Sequence, residues 1–171
     1  MKYYLTAIFC LLMGLVTFTS CSEDGDPFEF PYEGSFNVNG TNCKIMDATC
    51  TYDEDGYEDL FIPPHSTYGI QFHYKEQTYR MEFQVYYASD YTKLTPNEDV
   101  AEDVRVLGFY PITYISSPRY EELSGKVIVR EAKREHIVLE FKDYTFNEDD
   151  NGYEQTFKIN GAVKFYDLNA D

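Results

Sequence analysis

Three groups of residues in this 171-residue chain have types and spacings that chemistry could use: a pair of internal cysteines, two acid-rich turns and three histidines. Cys43 and Cys50 flank Met46-Asp47. A two-residue turn at Met46-Asp47 sets Ile45 opposite Ala48 and Cys43 opposite Cys50, and directly opposed residues of an antiparallel pair lie about 5.5 Å apart at Cα, within disulfide reach. The competing state is two reduced, buried thiols, and neither cysteine has a cationic neighbour of the kind that activates a nucleophile. Asn147, Asp149 and Asn151, followed by Gly152, match the first half of an EF-hand calcium loop, but its twelfth position is Lys158, where a bidentate Glu is needed. Asp53 and Asp55, before Gly56, are likewise rich in hard oxygen ligands without the full spacing. Asp, Asn and Gly also serve hairpin turns for conformational reasons, and the incomplete ligand sets favour that reading. Calcium is thus the one cofactor the spacing suggests, and the preferred expectation is none.

His65, His73 and His136 have no metal-ligand spacing to one another or to a cysteine. No Ser-centred elbow, phosphate-binding glycine loop or HExxH is present. Carboxylate pairs for glycoside hydrolysis carry no local motif, and thirty acids would supply such pairs by chance. The chain therefore reads as non-enzymatic.

The elements that would position these groups begin after a leader. Lys2 and the apolar run Ala7 to Phe18 have the charge and length of a secretory signal, and the run is too short for a bilayer span of roughly 20 residues. Phe18-Thr19-Ser20-Cys21 resembles the lipobox of bacterial lipoproteins. That resemblance implies cleavage after residue 20, lipidation of Cys21 and anchoring in the outer membrane. Ser22-Glu23-Asp24 resembles the acidic export signal of surface lipoproteins in Bacteroides-like bacteria, which implies outward display; as a plain solvated tether it is equally compatible with a periplasm-facing anchor. Residues 1–20 are thus expected to be a lipoprotein signal, 21–32 a lipidated N-terminus with tether, and 33–171 a single β domain. An exported location permits a disulfide.

What remains after the leader, roughly 150 residues, is one domain's worth and enough to bury a core. The formal charge of −16 argues against nucleic acid or anionic lipid headgroups as partners. Seventeen Tyr, thirteen Phe and no Trp fit pleated, half-buried surfaces.

Short strands with turn punctuation run from residue 35 to 167. Asn39-Gly40 tolerates the positive φ values of a type I′ turn and predicts a hairpin with Phe36 opposite Cys43 and Val38 opposite Thr41. Residues 67–75 and 78–87 alternate cleanly, and a loop at Glu76-Gln77 pairs Tyr74 with Tyr79, Phe72 with Met81 and Ile70 with Phe83. Thr95-Pro96-Asn97-Glu98 carries the signals of a helix start, with about two turns expected, in competition with a strand over 104–110. Ser117-Pro118 up to Gly125 suggests another single helical turn. Residues 126–130 and 136–141 pair through 132–135, placing Val127 against Phe141 and Val129 against Leu139. The apolar phase then switches to Tyr144 and Phe146, which predicts a β-bulge near Lys142-Asp143. A turn over 147–152 leads to a last strand with Tyr153, Phe157, Ile159, Val163 and Phe165 inward, and Gly161 in that row suggests a bend or close packing.

Eight to ten antiparallel strands with at most one or two short helices give an all-β fold, either a two-sheet sandwich or a flattened up-and-down barrel. Overall the chain resembles the small β-rich surface lipoproteins of Bacteroides-like bacteria. The expectation is a non-catalytic, membrane-anchored binding or accessory module for an extracellular glycan or protein ligand. Its rival is a structural subunit of an envelope or fimbria-like assembly joined through an exposed strand edge. On the polar faces His73, Tyr86 and Tyr166 are the aromatic candidates for ligand contact.

Overall fold

The computed structural model describes residues 35–56, 61–113 and 118–169. The leader, Cys21, the tether and Ser117 lie outside the described residues. Eight strands form one sheet: β1 (Phe36–Val38), β2 (Thr41–Asp53), β3 (His65–Tyr74), β4 (Gln77–Tyr86), β5 (Val104–Pro111), β6 (Arg119–Ala132), β7 (His136–Asp150) and β8 (Tyr153–Asp167). Their order is β5-β4-β3-β2-β1-β8-β7-β6. The chain is all-β, as expected, and its eight strands form one nearly closed, barrel-like sheet.

Turn chemistry sets most registers. Asn39 and Gly40 both have positive φ, and β1 pairs with β2 as the type I′ turn dictates, Phe36 with Cys43 and Val38 with Thr41. The bulge expected at Lys142-Asp143 is present: pairing of β7 with β8 shifts between Phe141 and Tyr144, and Asp143 takes φ 50°. Val127 faces Phe141 and Val129 faces Leu139, as the alternation requires.

Several expectations are corrected. Met46-Asp47 is not a turn, because β2 runs unbroken from Thr41 to Asp53 and the jump of the buried phase from Ile45 to Ala48 is absorbed by a bulge. Neither residue adopts the positive φ of a tight hairpin. The β3–β4 loop is Lys75-Glu76, both at positive φ, so Tyr68 pairs with Phe83, Ile70 with Met81, Phe72 with Tyr79 and Tyr74 with Gln77. This is a two-residue shift from the expected register, which keeps every apolar side chain on the same face; alternation alone does not oppose it.

No α-helix follows Thr95. The Thr95 amide does donate to the Glu98 carboxylate (3.1 Å), as in a capping box, but Asn97 turns at φ 70° and its amide donates to the Val129 carbonyl (2.7 Å). Val100 N–H likewise donates to Val127 O, and Glu98 O accepts from Val129 N–H. The segment is spent on the outer edge of β6, and only single 3₁₀ turns occur nearby, at Tyr91–Lys93 and Ala101–Asp103. The helical turn expected before Gly125 is replaced by β6 from Arg119 onward.

Barrel closure differs at its two joins. β1 bridges β2 and β8, and beyond its end β2 pairs directly with β8 in parallel, Thr49 with Tyr166 and Cys50 with Asp167. Gly161 makes this possible: at φ 118°, a Cβ there would lie 1.5 Å from the Ser35 carbonyl oxygen. Between β5 and β6 no backbone ladder forms. Two side chains of β6 take its place, the Glu122 carboxylate accepting from Val106 N–H (2.7 Å) and the Tyr120 hydroxyl accepting from Phe109 N–H (2.8 Å).

The interior is filled. Phe83 packs against Tyr68 (5.1 Å between ring centroids), Phe141 (5.7 Å) and Phe165 (5.9 Å), joining four strands. Phe36 meets Phe72 at 4.9 Å and Phe109 meets Phe157 at 4.3 Å. Edge-to-face and tilted contacts predominate, as the ring quadrupole favours.

Candidate functional site

The side-chain rows that line the core continue past it at the end of the barrel carrying the β3–β4 and β7–β8 hairpins. On β7 the inward row runs Tyr144, Phe146, Glu148, Asp150, so that two apolar positions are followed by two carboxylates. On β8 it runs Tyr153, Gln155, Phe157, Ile159, polar or exposed at the tip and buried below. Tyr79 of β4 and Pro111 of β5 complete the opposite wall, and Phe109 and Phe157 form the floor; Tyr110 borders the hollow from the outward row, its ring over Gly108. The result is a hollow of about 250 Å³ in the barrel mouth, aromatic on its walls and carrying two acids and one amide.

Local chemistry explains why the hairpin reaches so far. Asn151 and Gly152 both turn at positive φ, and the Asp149 carboxylate accepts from Gly152 N–H (2.8 Å). The two-residue turn lets β7 run to Asp150 and β8 start at Tyr153, so the region expected as a loop over 147–152 is mostly strand. Tyr153, expected inward, keeps the inward phase but is 72% exposed because the core ends below it.

Burial pushes the Glu148 carboxyl above the ordinary glutamate range, the neighbouring Asp150 carboxylate adds to the effect, and a hydrogen bond from Tyr120 opposes it. Tyr120 thus links the seam to the mouth. Burial also raises the Tyr79 hydroxyl, with the nearby Lys75 charge working the other way.

A second hollow, about 620 Å³, lies along the β5–β6 seam between Arg105, Glu122 and Gly125. Tyr144 contributes a buried hydroxyl to it that has no hydrogen-bond partner among the described residues. The Arg105 guanidinium is committed locally, donating to the Glu102 and Val104 carbonyls at 2.9 and 2.6 Å.

The residues singled out by sequence are scattered. Cys43 and Cys50 lie on one strand, β2, opposite Phe36 and Tyr68 respectively. Seven residues of strand separate them by roughly 20 Å, so the expected disulfide does not form. Both are free and buried. The Cys43 thiol contacts the Thr41 carbonyl (3.4 Å), and the Cys50 thiol is pushed up to about 12, mainly by burial and further by the Asp167 charge, an inert setting.

Both acidic turns are held as turns. The Asp53 carboxylate accepts from the Asp55 and Gly56 amides, at 3.2 and 2.9 Å, as an Asx-turn does. Asn147 and Asp149 share the outer face of β7, where the Asn147 side-chain oxygen accepts from the Thr156 hydroxyl (2.7 Å), while Asn151 sits in the hairpin turn. Among the described residues no three His, Cys, Asp or Glu side chains are arranged to hold a metal ion.

His73, Tyr86 and Tyr166 do not form one surface. His73 is exposed beside Thr78 at the hairpin end of β3, with its Nδ1 3.2 Å from the Thr78 hydroxyl. Tyr86 ends β4 at the far end of that pair, roughly 27 Å along the strand, under the Arg105 guanidinium at 5.7 Å. Tyr166 lies on β8 beneath the Lys164 ammonium at 5.5 Å, paired with His136. The other two histidines are structural: His65 is buried between the Pro63 carbonyl (2.9 Å) and Gln84 (2.8 Å), and His136 contacts Glu131 (2.8 Å).

The mouth residues escape a search by motif, but one signal is present in the sequence. Continuing the two-residue alternation after the bulge puts Glu148 and Asp150 in the inward row with Tyr144 and Phe146, where acids do not belong in a core. The chain matches no family model, no curated protein and no solved structure.

Proposed function

We propose that this protein is a non-catalytic binding module, anchored in the outer membrane through lipid on Cys21, whose barrel mouth takes an extracellular glycan. The observation that carries the reading is the mouth itself: aromatic walls from Tyr79 and Tyr153 around Glu148, Asp150 and Gln155. Such walls stack the apolar faces of sugar rings, and carboxylates and an amide accept and donate to their hydroxyls. The anchor rests on the lipobox-like Phe18 to Cys21 and the acidic Ser22 to Asp24.

Strand addition to a fimbria-like assembly is less well supported, since β6 is occupied along part of its edge by residues 97–100 and β5 by side chains of β6. A glycan array probed with the full chain in detergent tests the reading. Binding to a defined glycan class that is lost on Tyr153→Ala supports it; a blank array overturns it, and release of new reducing ends from a bound glycan overturns its non-catalytic part. Anchoring is tested separately by membrane fractionation of Cys21→Ala, which is expected to leave the membrane; retention there refutes the lipid anchor.

A further inference from the structure

The hollow along the β5–β6 seam is built around a polar atom that the fold leaves unsatisfied. Tyr144 is 1% exposed and lines the hollow, and its hydroxyl has no hydrogen-bond partner among the described residues. Folds pair such groups almost without exception, because burying one unpaired is costly. The hollow cuts through the barrel wall where the backbone ladder is missing: Arg105 reaches it from the outward row of β5, between buried Val104 and Val106, and Tyr144 from the inward row of β7. Opposite charges act on the Tyr144 hydroxyl. Burial raises it most, the Glu122 carboxylate adds to the rise and the Arg105 guanidinium opposes it, so both charges lie within electrostatic reach of one atom. Among the described residues Arg105 nevertheless forms no ion pair, with Glu122 or with any other acid. Glu122 engages Val106 N–H through Oε1 alone, and Arg105 engages its two carbonyls through Nη1 alone. That leaves Oε2 of the acid, and Nε and Nη2 of the guanidinium, without a partner among the described residues. A simple anion here would meet Glu122, and a simple cation would meet Arg105; a ligand carrying both charges satisfies both residues and the hydroxyl together.

We propose that the seam hollow is a second ligand site, apart from the barrel mouth, for a free α-amino acid with an aliphatic side chain. Its carboxylate accepts from Arg105 and the Tyr144 hydroxyl, its ammonium donates to Glu122, and its side chain lies towards Leu123. One hydroxyl senses both protein charges, so the ligand's two charges must also stand close together, as they do on a single α-carbon; in a peptide at least one amide unit separates them. Leu123, 48% exposed, and Ala101 give the lining its apolar surface. Glu102, the other acid of the lining, is exposed, so water and salt screen its charge.

Calorimetric titration of the full chain in detergent at physiological ionic strength tests this. The probes are L-leucine, N-acetyl-L-leucine, L-leucinamide and leucyl-leucine. Leucine is expected to bind at least about ten-fold tighter than either singly blocked form. Its binding should weaken at least about ten-fold in Arg105→Gln, in Tyr144→Phe and in Glu122→Gln, which keeps an acceptor for Val106 N–H. It should persist in Glu135→Gln, an exposed charge-matched control on the β6–β7 loop. Without leucine, Tyr144→Phe should melt no lower than the parent, because the hydroxyl has no bond to lose. A lower melting temperature would show that the hydroxyl serves the fold and would overturn its assignment to a ligand. A flat leucine trace into the millimolar range overturns the site, and equal binding of a blocked form overturns the requirement for both charges. Tighter binding of leucyl-leucine overturns the single-residue assignment, and leucine binding that survives both Arg105→Gln and Tyr144→Phe overturns the seam as its place. The glycan reading of the mouth stands or falls separately.

Discussion

Glu148 is the residue at which position and chemistry conflict most. Its place in the inward row brings a carboxyl into partly buried space beside Asp150, and the raised pKa follows from burial first and that neighbour second. In the folded chain Glu148 holds its proton to a higher pH than in the unfolded chain, where it titrates near about 4.3. Stability therefore falls as pH rises through the window between the unfolded and folded values, and the penalty is complete above it. Glu148→Gln is expected to raise the melting temperature at pH about 7 and to change it little at pH about 3.5. Thermal unfolding at the two pH values checks this, and a variant less stable at neutral pH would mean that the carboxylate is stabilised by contacts other than those described. The cysteines show the opposite case: buried apolar surroundings leave Cys50 a small hydrophobe, and its side-chain type alone carried no information on that.

At the scale of elements, the seam between β5 and β6 decides how the barrel closes. A missing backbone ladder leaves orphan amides, and burying such a donor unpaired costs about 1–3 kcal/mol. Tyr120 and Glu122 supply acceptors for Phe109 and Val106, so two side chains do the work of a strand pairing. Tyr120→Phe is expected to destabilise the fold by about 1–3 kcal/mol and to speed hydrogen exchange at the Phe109 amide specifically. Chemical denaturation and exchange measured residue by residue test both; unchanged protection at Phe109 would show that the seam is held otherwise. Neither clip was foreseeable from local pattern, because Tyr120 and Phe109 are joined through a long connection and lie in register only after the sheet curls. The same curl recruits residues 97–100 to β6, overriding a capping signal that reads as helix in isolation.

For the molecule as a whole, stability rests on one aromatic interior shared by nearly every strand. Phe83 touches rings on β3, β7 and β8 from its place on β4, so its loss opens a cavity at the centre of the barrel. Phe83→Ala is expected to cost about 3–5 kcal/mol and to lower a single cooperative transition. A local loss of order with the global midpoint unchanged would argue against one shared core. An all-β chain, the Asn39-Gly40 hairpin, the β7 bulge and the inward faces were all legible in the sequence, because turn residues and two-residue alternation act over a few neighbours. The choice among registers two residues apart, the fate of Met46-Asp47, the separation of Cys43 from Cys50 and the curl of the strands into one barrel-like sheet were decided by tertiary structure, since a slip of two residues or a bulge in place of a turn leaves the local pattern satisfied. The mouth belongs to both levels. Its acids stand in the inward row by sequence periodicity, but only closure of the sheet brings Tyr79 across from Glu148 and turns the end of a row into a site.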